Sequence, residues 1–301
     1  MSNSRPKVFI SRPIPLAKEL LSSYFDVEEN SQDESVSRDK LKEVAAGCDA
    51  ILGTTAEKYD KEILQAAKKL RVISNYAIGL DNIDLVLAKQ IGITIYNVPD
   101  VVTNSTADLT FAIFLSLIRR IPEASAYVRN KKWIRWRIKA FLGEELVNKT
   151  FGIIGFGRIG KAVARRALGF GLNIIVYNHS PITPEEGVQQ VSLDDLFARS
   201  DYISLHVPLN PETKDLINLS VFKKMAKKPV LINASRGGLV NTDDLVTALK
   251  TGLIRACALD VTAPEPIPVD HPLLQIENCL IVPHIGTSTI DCRENMAKKS
   301  L

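Results

Sequence analysis

Long apolar runs are missing from this sequence. No stretch approaches the roughly 18 consecutive apolar residues that cross a bilayer, which excludes a membrane-spanning helix. The polar start Met1–Pro6 leads directly into a strand-like segment, Lys7–Ser11, without a charged and apolar leader. Cysteine is scarce as well: Cys48, Cys257, Cys279 and Cys292 lie far apart with no C-x-x-C pair, which argues against a zinc ribbon or redox dithiol and reads as reduced thiols of a cytoplasmic protein. Nor is there a large excess of one charge. The 38 Lys and Arg against 34 Asp and Glu leave a net charge of only +4, a poor footprint for nucleic acid or a membrane surface but compatible with a small anionic substrate. There is no repeat of 20–50 residues and no low-complexity tract. What remains, 301 residues at 46% hydrophobic and 24% charged, suits about two globular domains.

Short β-branched runs alternate with longer amphipathic stretches. Val8–Ile10, Ala50–Gly53, Arg71–Tyr76 and Ile93–Val98 read as strands. A second series comprises Thr150–Ile154, Asn173–Tyr177, Tyr202–His206, Pro229–Asn233, Ala256–Asp260 and Cys279–Val282. Strands separated by helical patterns predict parallel sheets with crossover helices, and six strands in one block suit a doubly wound sheet. Between the series, Ser105–Ile121 opens on Asn, Ser and Thr and keeps Leu109, Ile113, Phe114 and Leu117 at helical spacing.

Phe151–Gly160 reads F-G-I-I-G-F-G-R-I-G between an apolar strand and a helix. That context makes the glycine pattern informative. Gly155 permits a tight turn, Gly157 lets backbone N–H groups approach a pyrophosphate, and Gly160 lets helix and strand pack closely, with Phe156, Arg158 and Ile159 completing the cofactor turn. An acidic residue that reads the adenine ribose is expected about 20 positions on. The strand ends instead on Tyr177, Asn178, His179 and Ser180. With no carboxylate to repel a 2′-phosphate, and with Asn178, His179 and Ser180 all able to donate to one, NADP is favoured. No Arg stands beside Ser180, so NAD or dual use stays open.

Three polar residues follow strand ends downstream: Arg236 in N-A-S-R-G-G, Glu265 in L-D-V-T-A-P-E-P and His284 in V-P-H-I-G. In an open parallel sheet such ends face the ligand crevice. A guanidinium can clamp a carboxylate, an imidazole can exchange a proton near neutral pH, and a neighbouring Glu favours its charged form. Together they fit reduction of a 2-oxo acid. No metal site is expected.

These motifs resemble the D-2-hydroxyacid dehydrogenase family, and within it the glyoxylate/hydroxypyruvate reductases. The resemblance runs from Asn75 to Met296 and rests on N-Y-A-I-G-L-D-N-I-D, T-N-S-T-A-D-L, the glycine turn, H-V-P-L-N-P-E-T, N-A-S-R-G-G-L-V-N, and A-L-D-V-T-A-P-E-P-I-P-V-D-H-P-L-L followed by V-P-H-I-G. It implies a Rossmann doubly wound domain over 103–283, plus a discontinuous flavodoxin-like α/β substrate domain formed by 1–102 and a return segment, 284–301, that is short for the family. It implies that Arg236 orients the substrate, that His284 protonates the forming alkoxide, and that Glu265 holds the imidazole. It also places the N–H groups of Ile78 and Gly79 on the substrate carboxylate and Asp260 near the nicotinamide amide. Thr106, His206, Val207, Pro208, Thr213, Ala234, Ser235 and Gly286 would line the cofactor cleft, and the partner would be a second copy of the chain, with Trp133 and Trp136 at the contact. Glyoxylate and hydroxypyruvate are the expected substrates, with 2-ketogluconate or phosphohydroxypyruvate as alternatives. A dinucleotide-sensing corepressor is the alternative from another class.

Overall fold

A computed structural model describes residues 5–301, so the polar start Met1–Ser4 lies outside the described residues. The chain divides into two compact units, Met1–Val102 with Thr287–Leu301, and Thr103–Gly286. In the first, strands β1 (Lys7–Ile10), β2 (Asp26–Glu29), β3 (Ala50–Gly53), β4 (Val72–Asn75) and β5 (Thr94–Tyr96) alternate with helices α1 (Ala17–Ser22), α2 (Arg38–Gly47), α3 (Lys61–Ala66) and α4 (Leu85–Gln90). The strands form an all-parallel sheet in the order β2-β1-β3-β4-β5, the flavodoxin-like arrangement. Strand β2, absent from the periodicity reading, is an edge. Its sequence is Asp-Val-Glu-Glu with no fully buried residue, and Glu28 pairs with Lys7 at 2.8 Å. Charge on an edge discourages further strand pairing.

The larger unit begins with α5 (Thr103–Ile118) and α6 (Ile121–Arg129). The expected single helix to Ile121 is broken: Arg120 is left-handed at φ 55° and Pro122 occupies the first turn of α6. A proline there cannot donate the N–H that would continue α5. Next come β6 (Thr150–Ile154), α7 (Arg158–Gly169), β7 (Asn173–Tyr177), β8 (Val188–Gln190), α8 (Leu193–Arg199), β9 (Tyr202–Leu205), α9 (Leu219–Phe222), β10 (Val230–Asn233), α10 (Thr242–Lys250), β11 (Ala256–Leu259) and β12 (Cys279–Ile281). The parallel sheet has seven strands, ordered β12-β11-β10-β9-β6-β7-β8, rather than the six expected. The extra strand, β8, is a polar edge, Val-Gln-Gln. The order reverses across β6, so the switch point lies between β6 and β9, where doubly wound sheets bind ligands.

Every residue of β9, β10 and β11 is buried, as a sheet covered on both faces requires. On one face α5 packs its aromatics against the strands: Phe114 meets Tyr202 at 4.7 Å and Phe151 at 5.4 Å between ring centres, both edge-on. The other face carries Leu196, Phe197, Phe222, Leu245 and Leu249 from α8, α9 and α10. The last helix, α11 (Ile290–Ser300), belongs to the smaller unit and buries Cys292, Met296 and Ala297 there. No helix among the described residues is long and apolar enough to cross a membrane.

Candidate active site

The glycine turn joins β6 to α7. Gly155 is left-handed at φ 94°, and a Cβ there would lie 2.6 Å from the carbonyl oxygen of His206; Gly160 would drive a Cβ into the carbonyl of Gly155. Both glycines are therefore demanded by the protein's own packing. Gly157 is not: no heavy atom lies within 4 Å of a Cβ built on it. It is the residue just before α7, a helix without a side-chain cap. An uncapped helix N-terminus behind an open cradle can accept a pyrophosphate, so the residues present fit a dinucleotide.

Asn178, at the end of β7, accepts a hydrogen bond from the Phe156 N–H at 3.1 Å and donates to the Ser180 carbonyl at 3.0 Å. Both ends of its amide are thus engaged in holding the turn, while His179 and Ser180 are exposed. Behind the turn, the His206 ring nitrogen Nε2 lies 2.8 Å from the Ser204 hydroxyl, and desolvation pushes the imidazole down to about 4. It is neutral at physiological pH, which suits a wall rather than an acid.

At the end of β10, Asn233 fixes the loop that carries Arg236. It accepts from the Ser235 N–H at 3.1 Å and donates to the Arg236 carbonyl at 2.9 Å, while the Ser235 hydroxyl donates to the Val207 carbonyl at 2.7 Å. Asn233 is buried, and the sequence reading passed over it. Its place immediately before A-S-R-G-G was the available signal, since a buried Asn can clamp a tight loop at both ends. Gly237 lets this loop pack against the Thr262–Ala263 backbone, which any side chain would strike.

Strands β11 and β12 deliver the other groups. Asp260, 2% exposed, accepts from the Ile285 N–H at 2.7 Å and the Gly286 N–H at 2.9 Å, and its own carbonyl accepts from the His284 N–H at 2.9 Å. This holds His284 in the left-handed conformation, φ 53°. Burial pushes the Asp260 carboxyl up, against the pull of these amides and of His284. The His284 Nδ1 lies 2.5 Å from Glu265 Oε1, with side-chain exposures of 41% and 40%, so both remain reachable. The Glu265 hydrogen bond raises the imidazole's affinity for its proton, outweighing desolvation. Burial works most strongly against the charge of Glu265, but His284, the Thr262 N–H and the Arg236 charge together outweigh it, and the carboxyl lies below its usual range. The Arg236 charge acts on both members of the pair.

Of the other expected residues, Thr106 is buried and contacts the position a Gly286 Cβ would take, Ala234 is buried at the end of β10, and Thr213 donates to the Pro208 carbonyl at 2.6 Å. Ile78 and Gly79 belong to the smaller unit, in the loop after β4. The Asn97 and Asn75 amides hold their carbonyls, each at 2.8 Å. Because a peptide plane points its C=O and N–H to opposite sides, the Ile78 carbonyl fixes the direction of the Gly79 N–H. The N–H groups of Ile78 and Gly79 donate to no group among the described residues and can take an anion.

Residues 111–286 match the family model described as "D-isomer specific 2-hydroxyacid dehydrogenase, NAD binding domain". The chain is 42% identical to a glyoxylate reductase of Thermococcus litoralis, over 98% of this chain and 91% of that protein. Among solved structures, a Thermus thermophilus protein superposes with a TM-score of 0.91 at 37% identity, covering 98% and 94% of the two chains. A glyoxylate reductase from Paecilomyes thermophila gives 0.88 at 32%, covering 99% and 93%.

Proposed function

We propose, from the premise that this chain belongs to the D-isomer specific 2-hydroxyacid dehydrogenase family, that it reduces glyoxylate and hydroxypyruvate, with NADPH preferred over NADH. The observation that carries the reading is the hydrogen-bonded Glu265–His284 pair within the field of Arg236. The dinucleotide, when bound, supplies the hydride. The chain's own residues supply the rest. Arg236 offers a planar fork for the substrate carboxylate and carbonyl. With Glu265 ionised, the proton on Nδ1 is held by that carboxylate, leaving Nε2 as the atom that donates to the alkoxide oxygen. Asp260 keeps the imidazole in place by anchoring the backbone on both sides of it.

Coenzyme preference rests on the end of β7. No carboxylate stands there, and the exposed His179 and Ser180 side chains can donate to a 2′-phosphate. We assign the larger unit as the dinucleotide domain and a second copy of the chain as the partner. The support for a homodimer is the segment after α6, where Trp133 and Trp136, 63% and 77% exposed, stand with exposed Ile134 and Ile138 among Lys and Arg residues; large exposed hydrophobic side chains grouped in this way mark an interaction surface. The four cysteines are free thiols, in keeping with a cytoplasmic protein. Initial rates for glyoxylate, hydroxypyruvate and larger 2-oxo acids with each reduced coenzyme test the proposal. Expected are the highest kcat/KM values for the two small acids with NADPH. Negligible turnover of both would overturn it.

A further inference from the structure

We propose that Cys257 and Cys279 are a reversible redox pair, a thiol modification site that, when oxidised, staples the edge strand leading to His284 onto the sheet. The two residues are register partners on the parallel strands β11 and β12, and their sulfurs lie 3.2 Å apart. Parallel neighbours stand about 4.7–4.9 Å apart, inside the Cα range of roughly 4.4–6.8 Å that a disulfide spans. The sulfurs therefore close to bonding distance without a change of register. Both side chains face the layer of α8, α9 and α10. Cys257 is fully buried, while Cys279 is half-buried on the edge strand.

The geometry also sets the order of events. The Cys257 thiol donates a hydrogen bond to the Cys279 sulfur; Cys279, half-buried, is the more accessible of the two and the attacking thiol, and the fully buried Cys257 is the resolving thiol. The oxidant is a small disulfide such as oxidised glutathione. Cys279 thiolate attacks one glutathione sulfur, forming a mixed disulfide and releasing one glutathione thiolate. Cys257 then loses its proton to that thiolate and attacks Cys279 Sγ, releasing the second glutathione. In sum, two protein thiols and one glutathione disulfide give one protein disulfide and two glutathione thiols. The bond closes a loop of 22 residues' separation beside Asp260 and ahead of His284. It pins the strand pair that presents them without adding a group to the site.

The test is incubation of the full chain with oxidised glutathione, followed by thiol counting, non-reducing peptide mapping and thermal unfolding. Expected are loss of two of the four thiols and a linked peptide containing Cys257 and Cys279. The unfolding midpoint should exceed that of the reduced protein by about 5–10 °C, from the loop-entropy relation for such a separation. Cys257→Ser should stop at one glutathione on Cys279, and Cys279→Ser should show neither adduct nor linkage. Oxidised wild type should keep its turnover, since no residue of the site is displaced. Retention of all four thiols overturns the proposal, as does a glutathione that stays on wild-type Cys279, a linkage through Cys48 or Cys292, an unchanged midpoint, or loss of turnover on oxidation. The wild-type mapping decides the matter even where a variant folds poorly.

Discussion

Replacing Glu265 by Gln removes the carboxylate that contacts the His284 ring and keeps a side chain of the same size and shape. In the wild type, the Glu265 hydrogen bond and charge raise the imidazole's proton affinity, with Asp260 adding to them; desolvation and the Arg236 charge lower it. In Glu265→Gln the charge disappears, and the neutral amide oxygen is a weaker acceptor for the imidazolium than the carboxylate was. The imidazole's proton affinity then falls from its raised wild-type position, with desolvation and the Arg236 charge still acting against the charged ring. Reduction requires the protonated ring, so activity is full below the pKa of His284 and is lost as pH rises through it. A raised value extends the plateau to higher pH; the variant withdraws it. Each unit by which the pKa falls cuts the protonated fraction of the ring about ten-fold on the alkaline side. The variant's alkaline limb should thus move to lower pH, and its kcat/KM on that limb, relative to its own acidic plateau, should fall about ten-fold below the wild type's for each unit moved.

The assay is the pH profile of kcat/KM for glyoxylate reduction, with dinucleotide affinity and unfolding midpoint measured alongside. Oxidation of the 2-hydroxy acid uses the deprotonated ring, so its onset should also move to lower pH and the variant should be less impaired in that direction. An alkaline limb of reduction that stays at the wild-type position, in a folded variant that binds dinucleotide normally, would refute the role of Glu265.

His284→Ala should lose about 10²- to 10⁴-fold in kcat while its dinucleotide Kd, measured by calorimetry, is unchanged. Arg236→Lys keeps the charge but not the planar fork; kcat/KM should fall by about 10- to 100-fold, and near-wild-type kinetics would count against carboxylate clamping. Gly155→Ala forces a side chain into the left-handed region against the His206 carbonyl and should lower the unfolding midpoint by about 3–10 °C. Gly157→Ala meets no protein atom, so its midpoint should hold while the dinucleotide Kd weakens by about ten-fold or more. Asn178→Asp keeps the acceptor for the Phe156 N–H and adds a charge that repels a 2′-phosphate. The NADPH-to-NADH ratio of kcat/KM should fall by at least about ten-fold.

The central strands were legible because burial on both faces leaves near-continuous apolar runs, as in Val230–Asn233 and Ala256–Leu259. The two strands that escaped the reading, β2 and β8, are both sheet edges with polar sequences. An edge strand is recognised by the neighbour it pairs with, not by its own pattern. The break between α5 and α6 was signalled by Pro122, but α5 also loses its last predicted turn to Arg120, whose sequence carries no such mark.

By itself, the amino-acid sequence determined the two series of parallel strands, the glycine turn and the order of polar residues at strand ends, because each is a local matter of periodicity, backbone freedom and spacing. Only the tertiary structure decided that Glu265 stands 2.5 Å from His284, that Asp260 spends its carboxylate on the amides of Ile285 and Gly286, and that Cys257 and Cys279 face one another across two strands. Those relations join residues separated by up to 26 positions. They exist because sheet register and desolvation bring the groups together, and neither is a property of any short stretch of chain.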